Sequence, residues 1–190
     1  EGFTPYEWLR STGRQIGALQ GYVPDGFYSI GDFNSEGKLY EGVVGSTLAG
    51  NLQPGDLKYK DLNGDGTIDA GDMSYQKGTT FPTTYYGINL GFTYGPFGLE
   101  AIFQGAADFM IAPVVENICE SDYYANNCWT PERTSGVRYP LLAEKNNAHN
   151  SAPSPVWWEP GDYRKLRTLY IHYDMKFKEM NMCLFLRGLN

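Results

Sequence analysis

The sequence lacks any long apolar run. No stretch approaches the ~20 consecutive apolar residues that a transmembrane helix needs, which excludes a helical membrane protein. A membrane barrel stays open, because barrel strands carry only alternating hydrophobicity. The first residues, Glu1 to Pro5, also lack the basic and apolar regions of a signal peptide. We therefore expect any export signal to lie upstream of them.

Charge is scarce and leans to one sign. Charged residues make up 19% of the chain, below the ~25% typical of soluble domains, and the formal net charge is −7. Nucleic-acid binding needs a basic face that neutralises phosphates, so this balance excludes a nucleic-acid partner. It fits a surface that meets water, cations or neutral ligands.

Catalytic constellations are missing as well. The two histidines, His149 and His172, stand far apart and lack the spacing of a metal site. The sequence contains no nucleophile elbow, no phosphate-binding glycine loop and no Cys-x-x-Cys motif. We predict that the chain is not an enzyme and holds no organic cofactor.

The cysteines number three, which is odd. Cys119 and Cys128 enclose a short polar stretch, and a disulfide between them would suit an oxidising compartment. The alternative is two unpaired thiols in a loop. Cys183 lies in an apolar run, where we expect an inert side chain that faces lipid or the core.

What the sequence does contain is aromatic residues, at 15%, and glycine, with 23 residues. This composition favours an all-β protein, because aromatics fit a pleated surface and glycine serves turns. The clearest hairpin joins Thr84 to Tyr94 and Phe97 to Ala106 at Gly95-Pro96.

The first strand of this hairpin alternates strictly. Its apolar side is Tyr86, Ile88, Leu90, Phe92 and Tyr94, and its other side is Gly87, Asn89, Gly91 and Thr93. Period two with aromatics at the ends is typical of a lipid-facing barrel strand. Tyr163 to Tyr173 and Met180 to Leu186 read as a second pair, with a turn at Asp174 to Lys178.

The segment 107–160 is long, polar and rich in Pro and Asn, which predicts an extracellular loop. A membrane sheet must close, or its edges stay unpaired in hydrocarbon. We count roughly six to eight strands and find no closing signal. The sequence therefore predicts antiparallel strands that form part of a large transmembrane β-barrel with long extracellular loops.

The sharpest local motif is an acidic loop with calcium-type spacing. Oxygen ligands fall at loop positions 1, 3, 5, 7, 9 and 12, and a glycine at position 6 allows the turn. The predicted Ca²⁺ ligands are Asp61, Asn63, Asp65, the carbonyl of Thr67, Asp69 and Asp72. Asp72 stands where a bidentate Glu is usual, and the flanks do not read as helices. The alternative is a turn without an ion.

Aromatic residues of the long loop are candidates for substrate binding. Tyr123, Tyr124 and Trp129 would bind sugar rings or a partner protein by apolar stacking if their faces are exposed. Trp157 and Trp158 precede a strand, where they would form part of an interfacial girdle or contact ligand.

Taken together and in order, these stretches resemble the SusC/RagA family of TonB-dependent receptors. Pro54 to Asp72 is similar to the family pattern PGD-x-KY-x-DLNGDG-x-ID-x-x-D. The other matching stretches are Gly21 to Tyr28, Tyr86 to Leu90, Phe103 to Gly105, Trp129 to Glu132, Asp162 to Leu169, and Leu186 to Asn190. Arg133 departs from the family's WTPEN loop.

The resemblance implies a TonB-dependent outer-membrane importer with a barrel of about 22 strands. It implies a SusD-like surface lipoprotein, the TonB complex and membrane lipid as partners, and glycan oligomers or peptides as substrates. Residues 1–190 match a C-terminal portion of the barrel, and we expect the plug domain and the closing strands to be absent from them. The alternative is a secreted Ca²⁺-dependent β-sheet module for binding or adhesion, with a dockerin-like loop.

Overall fold

Strands account for almost all of the regular structure, which confirms the predicted all-β class. The computed structural model describes residues 6–48, 50–112, 122–142 and 147–189. The strands are β1 (Ala18–Gly21), β2 (Pro24–Phe27), β3 (Gly45–Ser46), β4 (Leu57–Tyr59), β5 (Thr67–Ile68), β6 (Ser74–Thr79), β7 (Thr84–Tyr94), β8 (Phe97–Ala107), β9 (Met110–Ile111), β10 (Glu159–Pro160), β11 (Tyr163–Phe177) and β12 (Met180–Leu189).

Helical structure is limited to short pieces. The helix α1 spans Asp122–Asn127, and single 3-10 turns lie at Glu7–Leu9, Ile30–Asp32 and Ala70–Asp72. Within the described ranges no helix has the length and apolar character needed to cross a membrane.

The chain divides into two units. The first, here the loop unit, lies within Glu1–Gly78 and Ala112–Glu159, and the second, the sheet unit, lies within Thr79–Ile111 and Pro160–Asn190. Most of the segment predicted as one long loop, 107–160, therefore belongs to the same unit as the residues before β7. Its extracellular position stays a prediction.

The sheet unit is one four-stranded antiparallel sheet in the order β12-β11-β8-β7. The predicted hairpin is confirmed: β7 and β8 pair along their whole length and turn at Gly95-Pro96, where Gly95 has a φ of 57°. At the opposite end of the sheet, Thr84 pairs with Ala107 and Tyr163 pairs with Ala106.

The second hairpin turns later than the sequence predicted. β11 continues to Phe177, and the turn is Lys178-Glu179, where Lys178 has a φ of 46°. The prediction of a turn over Asp174 to Lys178 is wrong at its start, because Asp174 pairs with Cys183 and Lys176 with Asn181 inside the ladder. These polar side chains occupy one face of a strand and do not interrupt it.

One face of the sheet is apolar across all four strands. The register aligns Leu90, Ala101, Leu169 and Gly188 in one row, and Phe92, Leu99, Ile171 and Leu186 in the next. Large side chains on this face are exposed: Leu90 by 54% and Leu186 by 70%. This arrangement matches the alternation predicted for strands that face lipid.

The other face carries the polar side chains. Its rows include Gly87 with Gln104 and Lys165, and Gly91 with Glu100, Tyr170 and Arg187. The register of β11 against β8 shifts by one residue between Leu166 and Thr168, which marks a β-bulge at Arg167. The bulge keeps Leu166 and Leu169 on the apolar face although they are three residues apart.

Short strands and a compact aromatic core build the loop unit. β1 pairs with β6, β2 pairs antiparallel with β4, and β3 pairs in parallel with β5. Tyr28, Leu57, Tyr59, Ile68 and His149 are almost fully buried. Segments far apart in the sequence therefore meet in one core.

Candidate functional site

The acidic loop folds into a series of turns stabilised by its own side chains. Asp61 accepts from the backbone N–H of Gly64 at 2.6 Å and of Gly66 at 2.7 Å. Asp65 accepts from the N–H of Thr67 at 2.8 Å, and Asn63 accepts from the N–H of Asp65 at 3.0 Å. Gly64 and Gly66 have φ angles of 76° and 85°, which favour glycine.

The end of the loop is fixed by a buried carboxylate. Asp72 is fully buried and accepts from the N–H of Leu62 at 2.8 Å and of Asp69 at 2.9 Å. Asp69 in turn accepts from Gly71 N–H at 2.7 Å. Asp72 therefore joins the two ends of the loop.

All six predicted calcium ligands lie in this one loop, but their side chains do not form a closed cage. In the described part of the chain, no three acidic, histidine or cysteine side chains are grouped closely enough to hold a metal ion. The Asn63 side-chain amide donates to Asp65 at 2.8 Å, so these two predicted ligands bind each other.

An aromatic pair contacts the loop. The indole N–H of Trp8 donates to the carbonyl of Gly71 at 2.9 Å, and Tyr6 stacks on Trp8 with ring centroids 4.7 Å apart. A Cβ on Gly71 would lie 3.4 Å from the Tyr6 ring. The fluorescence of the Trp8 indole should therefore respond to a change in the conformation of the loop.

The predicted binding tyrosines lie on α1. Tyr123 is 56% exposed, and Tyr124 packs edge-on against the buried Tyr139 at 4.6 Å. Arg133, which departs from the family pattern, donates to the carbonyls of Ala125 at 3.0 Å and Cys128 at 2.8 Å, at the C-terminal end of α1. A cation at this end of a helix is favourable.

The tryptophans are placed differently from what the sequence predicted. Trp129 is buried, and its ring packs so closely on Gly55 that a Cβ there would lie 2.4 Å from it. Trp157 and Trp158 are buried as well, and Trp157 stacks on Tyr139 at 5.4 Å. All three rings contribute to the core of the loop unit, whereas stacking on a ligand or a place in an interfacial girdle would need an exposed ring face.

A buried polar network that the sequence did not reveal connects three segments of the loop unit. His149 Nε2 donates to the Leu57 carbonyl at 2.6 Å, and its Nδ1 lies 2.9 Å from the Ser46 hydroxyl. Since the carbonyl can only accept, Nε2 carries a proton, and in the neutral ring the hydroxyl donates to Nδ1. Burial lowers the pKa of His149 from its ordinary value of 6.5, although the Leu57 carbonyl and Asp56 oppose this.

Asp56 and Asn150 extend the network. Asp56 is fully buried and accepts from the Asn150 amide at 2.8 Å and from the N–H of Gln53 at 2.9 Å. Asn150 accepts from the N–H of Leu57 at 2.9 Å. Nearby, burial and the charges of Asp32 and Asp56 raise the pKa of Tyr28 to about 12. These groups stabilise the fold and are not arranged for catalysis.

Of the predicted disulfide, only one half lies in the described residues. Cys128 is buried, whereas Cys119 lies outside the described residues. The bridge between them stays a prediction. Cys183 is exposed, and it lies on the polar face of the sheet, opposite Asp174 in the register.

Comparisons with known proteins agree with the fold. Over 169 residues the chain is 26% identical to TonB-dependent receptor P3 of Formosa agariphila. The aligned part covers 86% of this chain and 15% of that receptor, so the chain spans less than a sixth of the curated relative. No family model matches the chain.

A solved structure shows the same architecture. The chain superposes on part of a chain in the structure of the RagAB peptide transporter with a TM-score of 0.51 and 13% sequence identity. The match covers 90% of this chain and 19% of that one. Together the two likenesses confirm the predicted resemblance to a portion of a SusC/RagA-like receptor.

Proposed function

We propose that this chain is part of the barrel of an outer-membrane TonB-dependent importer of glycan oligomers or peptides. The observation that carries the proposal is the sheet unit: four antiparallel strands with an exposed apolar face and a polar face behind it. In water the exposed apolar side chains would be unfavourable, whereas acyl chains satisfy them. A self-sufficient soluble module would cover this face with its own residues.

The height of the apolar face agrees with a membrane. From Tyr86 to Tyr94 the strand rises about 26 Å at ~3.3 Å per residue. A tilt of ~40° reduces this to roughly 20 Å along the barrel axis, close to the apolar band of ~25 Å in outer-membrane barrels. Aromatic side chains stand at both ends of the face, with Tyr86 at one end and Tyr94, Phe97 and Tyr173 at the other.

The connections suggest an orientation. The two tight turns, Gly95-Pro96 and Lys178-Glu179, lie at one end of the sheet, and the long connection from β8 to β11 leaves from the other end. Barrels of this class place short turns in the periplasm and long loops outside. We infer that residues 107–160 face the exterior, where they would meet substrate and a SusD-like lipoprotein.

The substrate class and the partners rest on similarity and on the loop aromatics. The structural neighbour RagAB is a peptide transporter, which supports peptides beside glycans. Tyr123 is the predicted binding residue whose ring is most exposed, and Tyr124 lies edge-on beside it at 5.8 Å. Such rings suit stacking on a sugar or a peptide side chain. Energy coupling through the TonB complex would require the rest of the receptor.

Calcium binding by the loop Asp61 to Asp72 is a second part of the proposal. Each carboxylate oxygen has two lone pairs, so one bond to a backbone N–H leaves capacity for a cation. The carbonyls of Gly66 and Ile68 accept from the N–H of Gly45 in β3 and from the N–H of Thr47, which follows β3. The carbonyl of Thr67 between them therefore points away from β3.

Energy-dependent uptake tests the proposed function. Cells that produce the complete receptor should accumulate labelled oligosaccharides or peptides, and a strain lacking TonB should not. Matched strains without the receptor provide the background. Equal accumulation in all three strains would contradict the proposal.

A further inference from the structure

The polar face of the sheet unit carries a depression near the end that bears the long connection. It has a volume of about 370 Å³, and its lining includes Tyr85, Gly87, Asn89, Gln104 and Arg167. Since Gly87 has no side chain and pairs with Gln104, it forms a low point between Tyr85 and Asn89, which lie two residues to either side on β7.

The cation in this depression, Arg167, makes one side-chain hydrogen bond. Arg167 Nη1 donates to the side-chain oxygen of Gln104 at 3.1 Å. A guanidinium has five N–H donors, so four remain for a ligand. The side-chain amide nitrogen of Gln104 carries two further N–H donors.

The backbone also favours a site at this position. Arg167 stands at the bulge between Leu166 and Thr168, the one register shift between β11 and β8. Bulges occur at barrel rims and beside functional sites, where they redirect a side chain. Here the bulge places two residues of β11 against one of β8 and leaves Arg167 directed along the polar face toward Gln104.

In the described part of the chain, no salt bridge neutralises this positive charge. Among the described residues, neither Arg167 nor Lys165, which pairs with Gln104 in the register, has a carboxylate within 4.0 Å. Both side chains are exposed. An arginine fork that is fixed on one side and open on the other suits a carboxylate, which it can bind with two parallel hydrogen bonds.

The geometry points to a subsite for a carboxylate group on the transported substrate, bound by Arg167 and framed by Tyr85, Asn89 and Gln104. The inference rests on the proposed function, since it assumes that this face lines the transport path. The side-chain amide of Asn89 would serve neighbouring hydroxyl or amide groups, and the ring of Tyr85, 69% exposed, offers an apolar wall. A uronic-acid unit and an acidic peptide side chain share the carboxylate chemistry.

Direct binding to the complete receptor in detergent tests the inference. The probes are tetragalacturonate against the neutral cellotetraose, and amidated Ala-Glu-Ala-Glu against amidated Ala-Gln-Ala-Gln. We expect at least one carboxylate probe to bind tighter than its neutral counterpart, and Arg167→Gln to weaken it by roughly ten- to a hundredfold while the neutral probe is unaffected. Which pair responds identifies the source of the carboxylate.

Two further variants make the experiment decisive. Arg164→Gln removes the same charge from the same strand, but Arg164 pairs with Gly105 on the apolar side and should leave binding unchanged. Gln104→Ala removes only the contact that orients the guanidinium and should weaken carboxylate binding about three- to tenfold. If Arg167→Gln fails to assemble, Gln104→Ala still tests the subsite.

The outcomes separate this inference from the proposed function. Equal affinity for charged and neutral probes, or a preference that survives both Arg167→Gln and Gln104→Ala, overturns the subsite. A receptor that takes up neutral probes with the help of TonB but shows no carboxylate preference keeps its function without this subsite. A receptor that binds carboxylates through Arg167 but imports nothing has the binding site without the proposed transport function.

Discussion

His149 donates from Nε2 to the carbonyl of Leu57 at 2.6 Å, across 92 positions of sequence and inside a fully buried environment. The Ser46 hydroxyl can accept from a protonated ring as well as donate to a neutral one, so the hydrogen bonds alone do not decide the charge of His149. Burial does, because it disfavours the charged ring and lowers the pKa of His149. The stability of the loop unit is therefore linked to pH.

Acid should weaken the loop unit through His149. Burial lowers the pKa of His149 in the folded protein, so the unfolded state binds more protons and stability falls as the pH decreases below about 6.5. His149→Gln should lower stability at pH 7.5 by about 1–3 kcal/mol but remove most of this pH dependence. Amide hydrogen exchange of residues 6–78 measures both effects.

His172→Gln is the control for this experiment, because it removes the other histidine, which lies on the sheet. The stability of the loop unit should depend on pH in this variant as it does in the unaltered protein, because the substitution lies in the sheet unit. An unchanged acid response in His149→Gln would rule out the linkage.

Calcium should bind the loop and change the environment of Trp8. Titration with Ca²⁺ should release or absorb heat and alter indole fluorescence, since Trp8 contacts Gly71 at 2.9 Å. Asp65→Ala should weaken binding more than Asp69→Ala, because the ligand at position 9 often acts through water. Asp25→Ala, an exposed carboxylate on β2, should have no effect. Absence of heat at millimolar Ca²⁺ would disprove the site.

Cys119 and Cys128 should be linked in the exported protein. Mass spectrometry of a non-reducing digest should find one linked pair of peptides that contain these residues, and Cys183 should react with a thiol reagent. Recovery of Cys119 and Cys128 as separately alkylated thiols would exclude the bridge.

The apolar face of β7 should contact lipid. In a Cys183→Ser background, single cysteines in Ile88→Cys, Leu90→Cys and Phe92→Cys should carry probes that a membrane-embedded quencher reaches. The same probes at Asn89→Cys and Gly91→Cys should be protected, because these residues face the other side. Equal quenching of both sets would count against the barrel.

Leu90→Arg should also reduce assembly, at a cost of about 2–4 kcal/mol, whereas Asn89→Arg should mainly alter transport.

Gly55 should not tolerate a side chain. It has a φ of 91°, and a Cβ would lie 2.4 Å from the Trp129 ring, so Gly55→Ala should destabilise the loop unit by about 2–4 kcal/mol. Gly37→Ala is the matched control: its φ is 75° but no atom lies within 4 Å of the added carbon, so about 1 kcal/mol is expected. Denaturant unfolding followed by tryptophan fluorescence would compare them, and similar losses would argue against close packing on Gly55.

The sheet was largely predictable because its signals are local. The alternation from Tyr86 to Tyr94 and the Gly95-Pro96 turn define β7 and β8 without knowledge of the rest of the protein. The start of the second turn was misplaced because that prediction also relied on a local signal alone. Asp174 and Lys176 read as a polar break, but at period two they are the polar face of a strand that continues to Phe177.

The core of the loop unit was not predictable from patterns. Its bonds join Ser46, Leu57 and His149, and no periodicity relates residues so far apart. For the same reason Trp129 read as a binding residue: only the close approach of Gly55 shows that the ring is covered. The bulge at Arg167 did leave a trace in the sequence, since Leu166 and Leu169 break the alternation by one residue.

The two tight turns have a consequence for the order in which the sheet assembles. β7 with β8 and β11 with β12 are neighbours in the chain, so each hairpin can zip from its own two-residue connection on a microsecond scale. Pairing of β8 with β11 instead has to close the segment 108–162, and it meets the entropy of that closure. The pairing of β8 with β11 should therefore form last. Until it forms, other strands could pair with the open edges of β8 and β11 and compete with it.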